Sequence, residues 1–168
     1  MKSWTILAPA AALSVMAASV SQAADNPTFV AAYVQQLVRQ CSVDGKAGPA
    51  ANLIERVDLN GDKLDDWVVD ASRQPCPTRA AVFADAPSQV TIFRGSSDGS
   101  ATPAFQRSAY GARLEGKPGA AYSLWMTLGA NDCGEQNEKA RCDRKVVWLA
   151  TEGRFELAPL SEKAVKTK

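Results

Sequence analysis

The chain has 168 residues, with 19 Lys and Arg against 18 Asp and Glu and no His. A near-neutral chain without a basic tract has no electrostatic basis for binding nucleic acid or an anionic membrane surface. The missing histidine removes the commonest general base near neutral pH and the usual zinc ligand, which excludes Ser-His-Asp and Cys-His catalysis. We therefore expect a protein that is not an enzyme and that does not bind nucleic acid.

The first residues have the pattern of a secretory signal peptide. Lys2 supplies a positive charge, Ile6 to Val20 is a run of apolar and small residues, and Ser21-Gln22-Ala23 offers a cleavage site. The run is shorter and richer in Ala than a membrane span of about 20 strongly apolar residues. We predict a signal peptide over residues 1–23, a periplasmic or secreted location and no membrane insertion after cleavage. An uncleaved anchor is the alternative.

The rest of the chain has the length of a single domain. About 145 residues are enough to enclose one hydrophobic core. We predict one globular domain over residues 24–160 and a flexible polar tail over residues 161–168. We expect this domain to be a monomer.

Hydrophobic periodicity predicts one helix followed by strands. Apolar residues at three- and four-residue spacing, from Phe29 to Cys41, form one stripe of a helix over residues 27–41. Short apolar or alternating runs between turn residues predict strands. These runs lie at residues 53–59, 67–69, 81–83, 89–94, 104–110, 121–128, 146–150 and 154–157. The pattern predicts an α+β fold, with the helix packed on a mainly antiparallel β-sheet of about six to eight strands.

The loop between the first two predicted strands carries oxygen-bearing side chains at its positions one, three, five and nine. They are Asp58, Asn60, Asp62 and Asp66. This spacing suits a hard cation with about six to eight oxygen ligands, and calcium is the leading candidate. An EF-hand is excluded because positions six and twelve hold Lys63 and Val69 instead of Gly and Glu. The alternative is a metal-free turn held by hydrogen bonds to Asp and Asn side chains.

Residues 57–105 resemble one repeat of the FG-GAP (integrin-type β-propeller) family. The matching residues are Asp58, Asn60, Gly61, Asp62, Asp66, Val68-Val69, Val90-Thr91-Ile92-Phe93, Gly95, Asp98-Gly99-Ser100 and Phe105. The resemblance implies a calcium loop that joins two strands of a blade, with the backbone carbonyl of Leu64 as a further ligand. A propeller needs several blades, and a single repeat cannot form one. Position six, usually Gly, holds Lys63, which disfavours a positive φ and adds a positive charge.

The chain as a whole also resembles small exported proteobacterial proteins of unknown function. Those proteins join an N-terminal helix, one such loop and a C-terminal Cys-Gly…Cys segment before a Trp-bearing strand. The corresponding residues here are Cys133-Gly134, Cys142 and Val146-Val147-Trp148. This likeness implies an architecture and no mechanism.

The cysteine content predicts two disulfides. An even number of cysteines in an exported chain is typical of disulfide pairing, and the four here are Cys41, Cys76, Cys133 and Cys142. Of the three possible pairings, a local bond between Cys133 and Cys142 is the easiest to close, which leaves Cys41 with Cys76. A tetrathiolate metal site is the alternative, although the paired CxxC spacing typical of one is absent.

The segment enclosed by Cys133 and Cys142 is polar and is a candidate recognition loop. Closure by a disulfide lowers the entropy cost of binding, and we identify Glu135, Asn137 and Glu138 as the candidate binding residues. The alternative is a tight connection with no binding role.

Four aromatic residues could line a groove for a sugar or a peptide. They are Trp67, Trp125, Trp148 and Tyr122. They lie on or beside predicted strands with the alternation of core residues, so burial is the better interpretation.

These features favour an exported non-enzymatic module that has a structural calcium loop and binds a protein or an envelope component. One alternative is a small carboxylate-dependent hydrolase, for which Glu135 and Glu138 are a candidate pair. The other is an inhibitor of another enzyme that uses the Cys133–Cys142 loop.

Overall fold

The computed structural model of the protein describes residues 26–41, 53–74, 86–117 and 119–160. The α-helices in these ranges are α1 (Thr28–Cys41) and α2 (Ala130–Cys133), and a short 3-10 helix (Ala71–Arg73) follows β2. The strands are β1 (Ile54–Val57), β2 (Asp66–Asp70), β3 (Ser88–Gly95), β4 (Ala101–Ala109), β5 (Gly111–Glu115), β6 (Ser123–Gly129), β7 (Arg141–Leu149) and β8 (Arg154–Leu157). The predicted α+β class, with one long helix and antiparallel strands, is confirmed.

The eight strands form two sheets, where the sequence predicted one. Each sheet has four antiparallel strands in sequence order, β1-β2-β3-β4 and β5-β6-β7-β8. The chain passes from the first sheet to the second at Tyr110, whose N–H donates to the carbonyl of Thr127 at 2.8 Å. Strand β5 was not predicted because it is short: its alternation consists of Ala112 and Leu114 on the core side and the exposed Arg113 and Glu115 on the other.

Helix α1 covers one face of the first sheet. Val30 and Val34 are buried, and Tyr33, Leu37 and Val38 pack beside them, as the predicted stripe requires. Phe29 is an exception: it is 55% exposed and meets the Phe93 ring only edge-on, with 5.8 Å between centroids. The helix is therefore confirmed over nearly its whole predicted length, with Phe29 at the margin of its apolar face.

The second sheet covers the other face of the first sheet. Side chains alternate along a strand, so neighbouring residues of β2 enter different cores. Trp67 and Val69 pack with α1, and Val68 packs in the core between the sheets. In that core, residues of the first sheet such as Ile92 meet Leu124, Met126 and Leu128 of β6. The first sheet is thus the middle layer, which explains why every residue of β2 is buried.

A disulfide joins Cys133 to Cys142, as predicted, with their Cα atoms 5.8 Å apart. It ties the end of α2 to β7 and closes the polar loop between them. Gly134 ends α2 with a positive φ of 68°, a conformation that glycine adopts without steric cost. The Arg144 guanidinium fixes the same region by donating to the carbonyls of Asp132 and Ala158.

Several predicted features lie outside the described residues. They are the signal peptide, the strand at residues 81–83, the tail at 161–168 and Cys76, the predicted partner of Cys41. Within the part of the chain that the structure describes, no helix is both long and apolar enough to cross a membrane.

Candidate metal-binding loop

The acidic loop connects β1 to β2 in the first sheet. Val57 and Asp66 pair as the last residues of this antiparallel ladder, and the loop projects beyond them. The predicted arrangement of strand, acidic loop and strand is therefore confirmed. Apart from Asp66, which opens β2 and is buried, the candidate ligands are half-buried or exposed.

Side-chain oxygens of the loop accept hydrogen bonds from the loop's own backbone. Asp58 Oδ1 accepts from the N–H of Gly61 at 2.7 Å, and its Oδ2 accepts from the N–H of Lys63 at 3.0 Å. Asn60 Oδ1 accepts from Asp62 N–H, and Asp62 Oδ1 accepts from Leu64 N–H. These are the short-range bonds by which Asp and Asn stabilise turns, and they coil the loop around Asp58.

Two residues of the coil have left-handed backbone. Gly61 has φ 81°, and Lys63 has φ 67°. Glycine takes this conformation freely, whereas a residue with a Cβ is strained there by about 1 kcal/mol. The structure thus imposes a positive φ on Lys63, the sixth residue of the loop.

Asp66 connects the loop to the rest of the sheet. Its side chain is 0% exposed, and its Oδ2 accepts from the N–H of Leu59 at 3.0 Å while its Oδ1 accepts from the N–H of Gly95 at 3.1 Å. Burial raises the pKa of Asp66 to about 6, against the lowering effect of these two hydrogen bonds. The nearby negative charges of Asp62 and Asp58 raise the pKa further.

Gly95 fits this site because it has no side chain. A Cβ added there would lie 2.0 Å from the carbonyl oxygen of Asp65 and 3.1 Å from the Trp67 ring. The close approach lets the Gly95 N–H reach Asp66. The structure therefore joins the acidic loop to the glycine that ends β3.

The loop also contacts the second sheet. The carbonyl of Asp58 accepts a hydrogen bond of 2.7 Å from the N–H of Tyr122, in the connection between β5 and β6. The ring of Tyr122 packs against Gly116, where an added Cβ would lie 2.7 Å from it. The first loop position is thus fixed to both sheets.

The donor set suits calcium in its chemistry, because hard cations prefer carboxylate and amide oxygens. Within the described ranges, however, no three His, Cys, Asp or Glu side chains form a group that could hold a metal ion. Asp58 Oδ1 accepts two backbone N–H groups, those of Asn60 and Gly61, whereas Asp58 Oδ2 and Asp62 Oδ1 each accept one and keep a second lone pair. The residues therefore suit calcium by type, but the structure does not gather them into a complete metal site.

The predicted recognition loop lies elsewhere, beside an open groove of about 350 Å³. Glu138 lines this groove together with Pro87, Ser108, Tyr110, Gly129, Ala130, Asn131 and Asp132. Glu135 and Asn137 do not line it, and Asn137 instead accepts a hydrogen bond from the N–H of Lys139 within the loop. Sequence reasoning did not find the other lining residues, since their only sequence signal is the position of Asn131-Asp132 next to Cys133.

The aromatic side chains do not form a common groove. Trp67 is buried under α1, as predicted. Trp148 packs on the core between the sheets beside Phe155, and Trp125 lies on the opposite side of its sheet under the Arg113 guanidinium. Their separation removes the basis for an aromatic sugar site.

Comparison of the chain with protein-family models, with curated proteins and with solved structures found no match.

We predict that Gly95→Ala destabilises the protein by at least about 2 kcal/mol, because the new Cβ must displace the Asp65 carbonyl and break the bond to Asp66. Urea unfolding measures the loss. Gly111→Ala is the matched control, since an added Cβ meets nothing within 4 Å there, and its effect should stay within about 0.5 kcal/mol. Equal stabilities of the two variants would contradict the packing described for Gly95.

We predict a pH dependence of stability that originates at Asp66. Its pKa is about 6 in the folded state against 3.8 for the free group, so the folded state binds the proton more tightly. The raised pKa of Asp66 therefore adds to the free energy of unfolding at low pH, and this contribution is lost as the pH rises from about 4 to 7. The Asp66→Asn variant lacks this titrating group. In buffer with EDTA, the free energy of unfolding of wild type should therefore fall over this pH range relative to that of Asp66→Asn. A constant difference would contradict the shifted pKa.

Proposed function

We propose that the protein is an exported, non-enzymatic binding module whose β1–β2 loop is stabilised by calcium. The observation that carries the calcium proposal is the environment of Asp66. The negative charges of Asp58 and Asp62 repel the ionised form of this buried carboxylate, and its hydrogen-bond partners are backbone N–H groups. A bound cation would offset that repulsion and favour the ionised form.

The side chains of Asp58, Asn60, Asp62 and Asp66 and the carbonyl of Leu64 would hold the ion. Calcium would supply positive charge and no catalytic chemistry. The chain's own contribution is to fix these donors, since Asp66 is bonded to Gly95 and the Asp58 carbonyl to Tyr122. The position of the loop between the first two strands of a four-stranded antiparallel sheet supports the FG-GAP resemblance, because propeller blades are sheets of this kind.

Export and a second disulfide belong to the same proposal. The N-terminal pattern of Lys2, an apolar run and Ser21-Gln22-Ala23 supports a signal peptide cleaved after Ala23. The bond between Cys133 and Cys142 is consistent with an oxidising compartment. In that setting, Cys41 and Cys76 would form the second disulfide.

A hydrolase is less well supported than a binding module. Burial raises the pKa of Asp66, and a general acid needs such a shift. Asp66 is fully buried with both oxygens bonded to backbone, so a substrate cannot reach it. Of the candidate pair, Glu138 lines the open groove and Glu135 does not.

We predict that calcium raises the stability of the protein relative to EDTA. At about 10 mM calcium, an affinity typical of extracellular modules (~10⁻⁴ to 10⁻³ M) gives about 1.4 to 2.7 kcal/mol. Asp62→Asn should reduce this gain. Asp65→Asn is the matched control, because Asp65 pairs with Arg56 at the side of the loop and should retain it. Thermal melts measure the effect, and no shift in wild type would remove the calcium proposal.

Two substitutions at Lys63 distinguish the effect of its positive charge from the effect of its backbone strain, and the same thermal melts measure both. Lys63→Gly should stabilise the metal-free protein by about 1 kcal/mol, because it relieves the positive φ. Lys63→Ala removes the same charge and keeps the strain. Both should strengthen calcium binding, but Lys63→Gly alone should raise the melting temperature in EDTA.

The disulfide-closed loop is the proposed binding surface for a protein or an envelope component. The carboxylates of Glu135 and Glu138 have no hydrogen-bond or ion-pair partner among the described residues, so they are free to meet a ligand. Asn137 shapes the turn between them by accepting the Lys139 N–H. This surface supports the binding proposal and also suits the inhibitor alternative.

We predict that the double variant Glu135→Gln, Glu138→Gln loses a partner that wild type retains from a periplasmic extract. The matched control is Glu115→Gln, Glu152→Gln, which removes the same charge from surface pairs with Arg113 and Arg154. The readout is the protein or saccharide recovered on immobilised protein. Equal recovery on both double variants would exclude the disulfide-closed loop as the binding surface.

A further inference from the structure

The Asn60–Gly61 peptide bond has a reactive sequence. When Gly follows Asn, the backbone nitrogen can attack the side-chain amide carbon with little steric hindrance. The Gly61 nitrogen then bonds to Asn60 Cγ, the Cγ–Nδ2 bond breaks, and ammonia leaves with the proton from Gly61. Water opens the resulting succinimide ring to aspartate or isoaspartate. The space around Gly61 does not oppose this ring, because a Cβ added there would meet nothing within 4 Å.

The loop holds both reacting groups away from this reaction. The Gly61 N–H donates to Asp58 Oδ1 at 2.7 Å, a bond that must break before the nitrogen can attack. The Asn60 amide is held at both of its ends. Its Oδ1 accepts from the N–H of Asp62 at 3.0 Å, and its Nδ2 donates to Asp62 Oδ2 at 2.8 Å. Reaction therefore requires a local opening of the loop.

We propose that Asn60 is a deamidation site whose reaction is slowed by the hydrogen bonds of Asp58 and Asp62. When the loop opens locally and these bonds break, Asn60 reacts to aspartate or isoaspartate. The proposal needs no bound metal and stands apart from the calcium proposal. Its consequences fall on the acidic loop. The aspartate product adds a fourth carboxylate to those of Asp58, Asp62 and Asp66. The isoaspartate product inserts a methylene group into the backbone and alters the spacing of the side chains on which the coil depends.

Peptide mapping by mass spectrometry tests the proposal on the full folded protein, incubated at mildly alkaline pH in EDTA. Asp58→Ala should deamidate at Asn60 several-fold faster than wild type, because the Gly61 N–H is freed. Asp65→Ala is the matched control: its carboxylate bonds to Arg56 and to no loop amide among the described contacts, so it should react at the wild-type rate. Wild type in denaturant should react faster than folded wild type.

Two measurements distinguish loop opening from global unfolding. Asn137, in the disulfide-closed loop, serves as an internal reference, and its rate should not change in Asp58→Ala. If it rises, Asp62→Ala decides. That change removes the hydrogen bond from Asn60 Nδ2 and keeps the backbone N–H bond to Asn60 Oδ1 and both Asp58 bonds, to Gly61 and Lys63, so Asn60 should deamidate faster than in wild type. Equal rates at Asn60 in folded and denatured wild type would overturn the proposal, as would a wild-type rate in the deciding variant.

Discussion

The buried carboxylate of Asp66 is the constraint on which the arrangement of the first sheet depends. It lies at the start of β2 and accepts one hydrogen bond from Leu59 in the acidic loop and another from Gly95 at the end of β3. One side chain thus joins the loop, the strand that follows it and a strand end 29 residues further along the chain. An ionised group is costly to bury, and the two N–H donors offset only part of that cost, since the pKa of Asp66 remains raised.

Local periodicity predicted most of the elements, because the helix and the longer strands bury one regular face. The apolar stripe containing Val30 and Val34 predicted helix α1, and the alternation of Leu124, Met126 and Leu128 predicted strand β6. The division into two sheets could not be predicted. It depends on the chain passing between the sheets at Tyr110 and on β5, a short strand with only two apolar side chains, Ala112 and Leu114, whose partner strand is chosen by tertiary contacts.

The sequence predicted which residues lie in the candidate site but did not predict the contacts that they make. The spacing of Asp58, Asn60 and Asp62 indicates oxygens that converge, and the hairpin places them together. The same spacing also matches the loop's own backbone N–H groups, which donate hydrogen bonds to these oxygens. The sequence alone does not tell whether these oxygens bind a cation or accept hydrogen bonds from the backbone. It also does not reveal the hydrogen bond between the Gly95 N–H and Asp66.

The way the loop is anchored indicates what kind of role a cation could have there. Its last candidate ligand, Asp66, belongs to a strand that is buried along its whole length. Its first residue, Asp58, is bonded through its carbonyl to Tyr122 beside the second sheet. Switches require an element with two arrangements that a ligand can select between. Both ends of this loop are fixed to packed layers, and Gly95 leaves no space beneath it. A cation bound here would therefore stabilise the existing hairpin by offsetting its clustered carboxylates, and it would have little scope to move one sheet against the other.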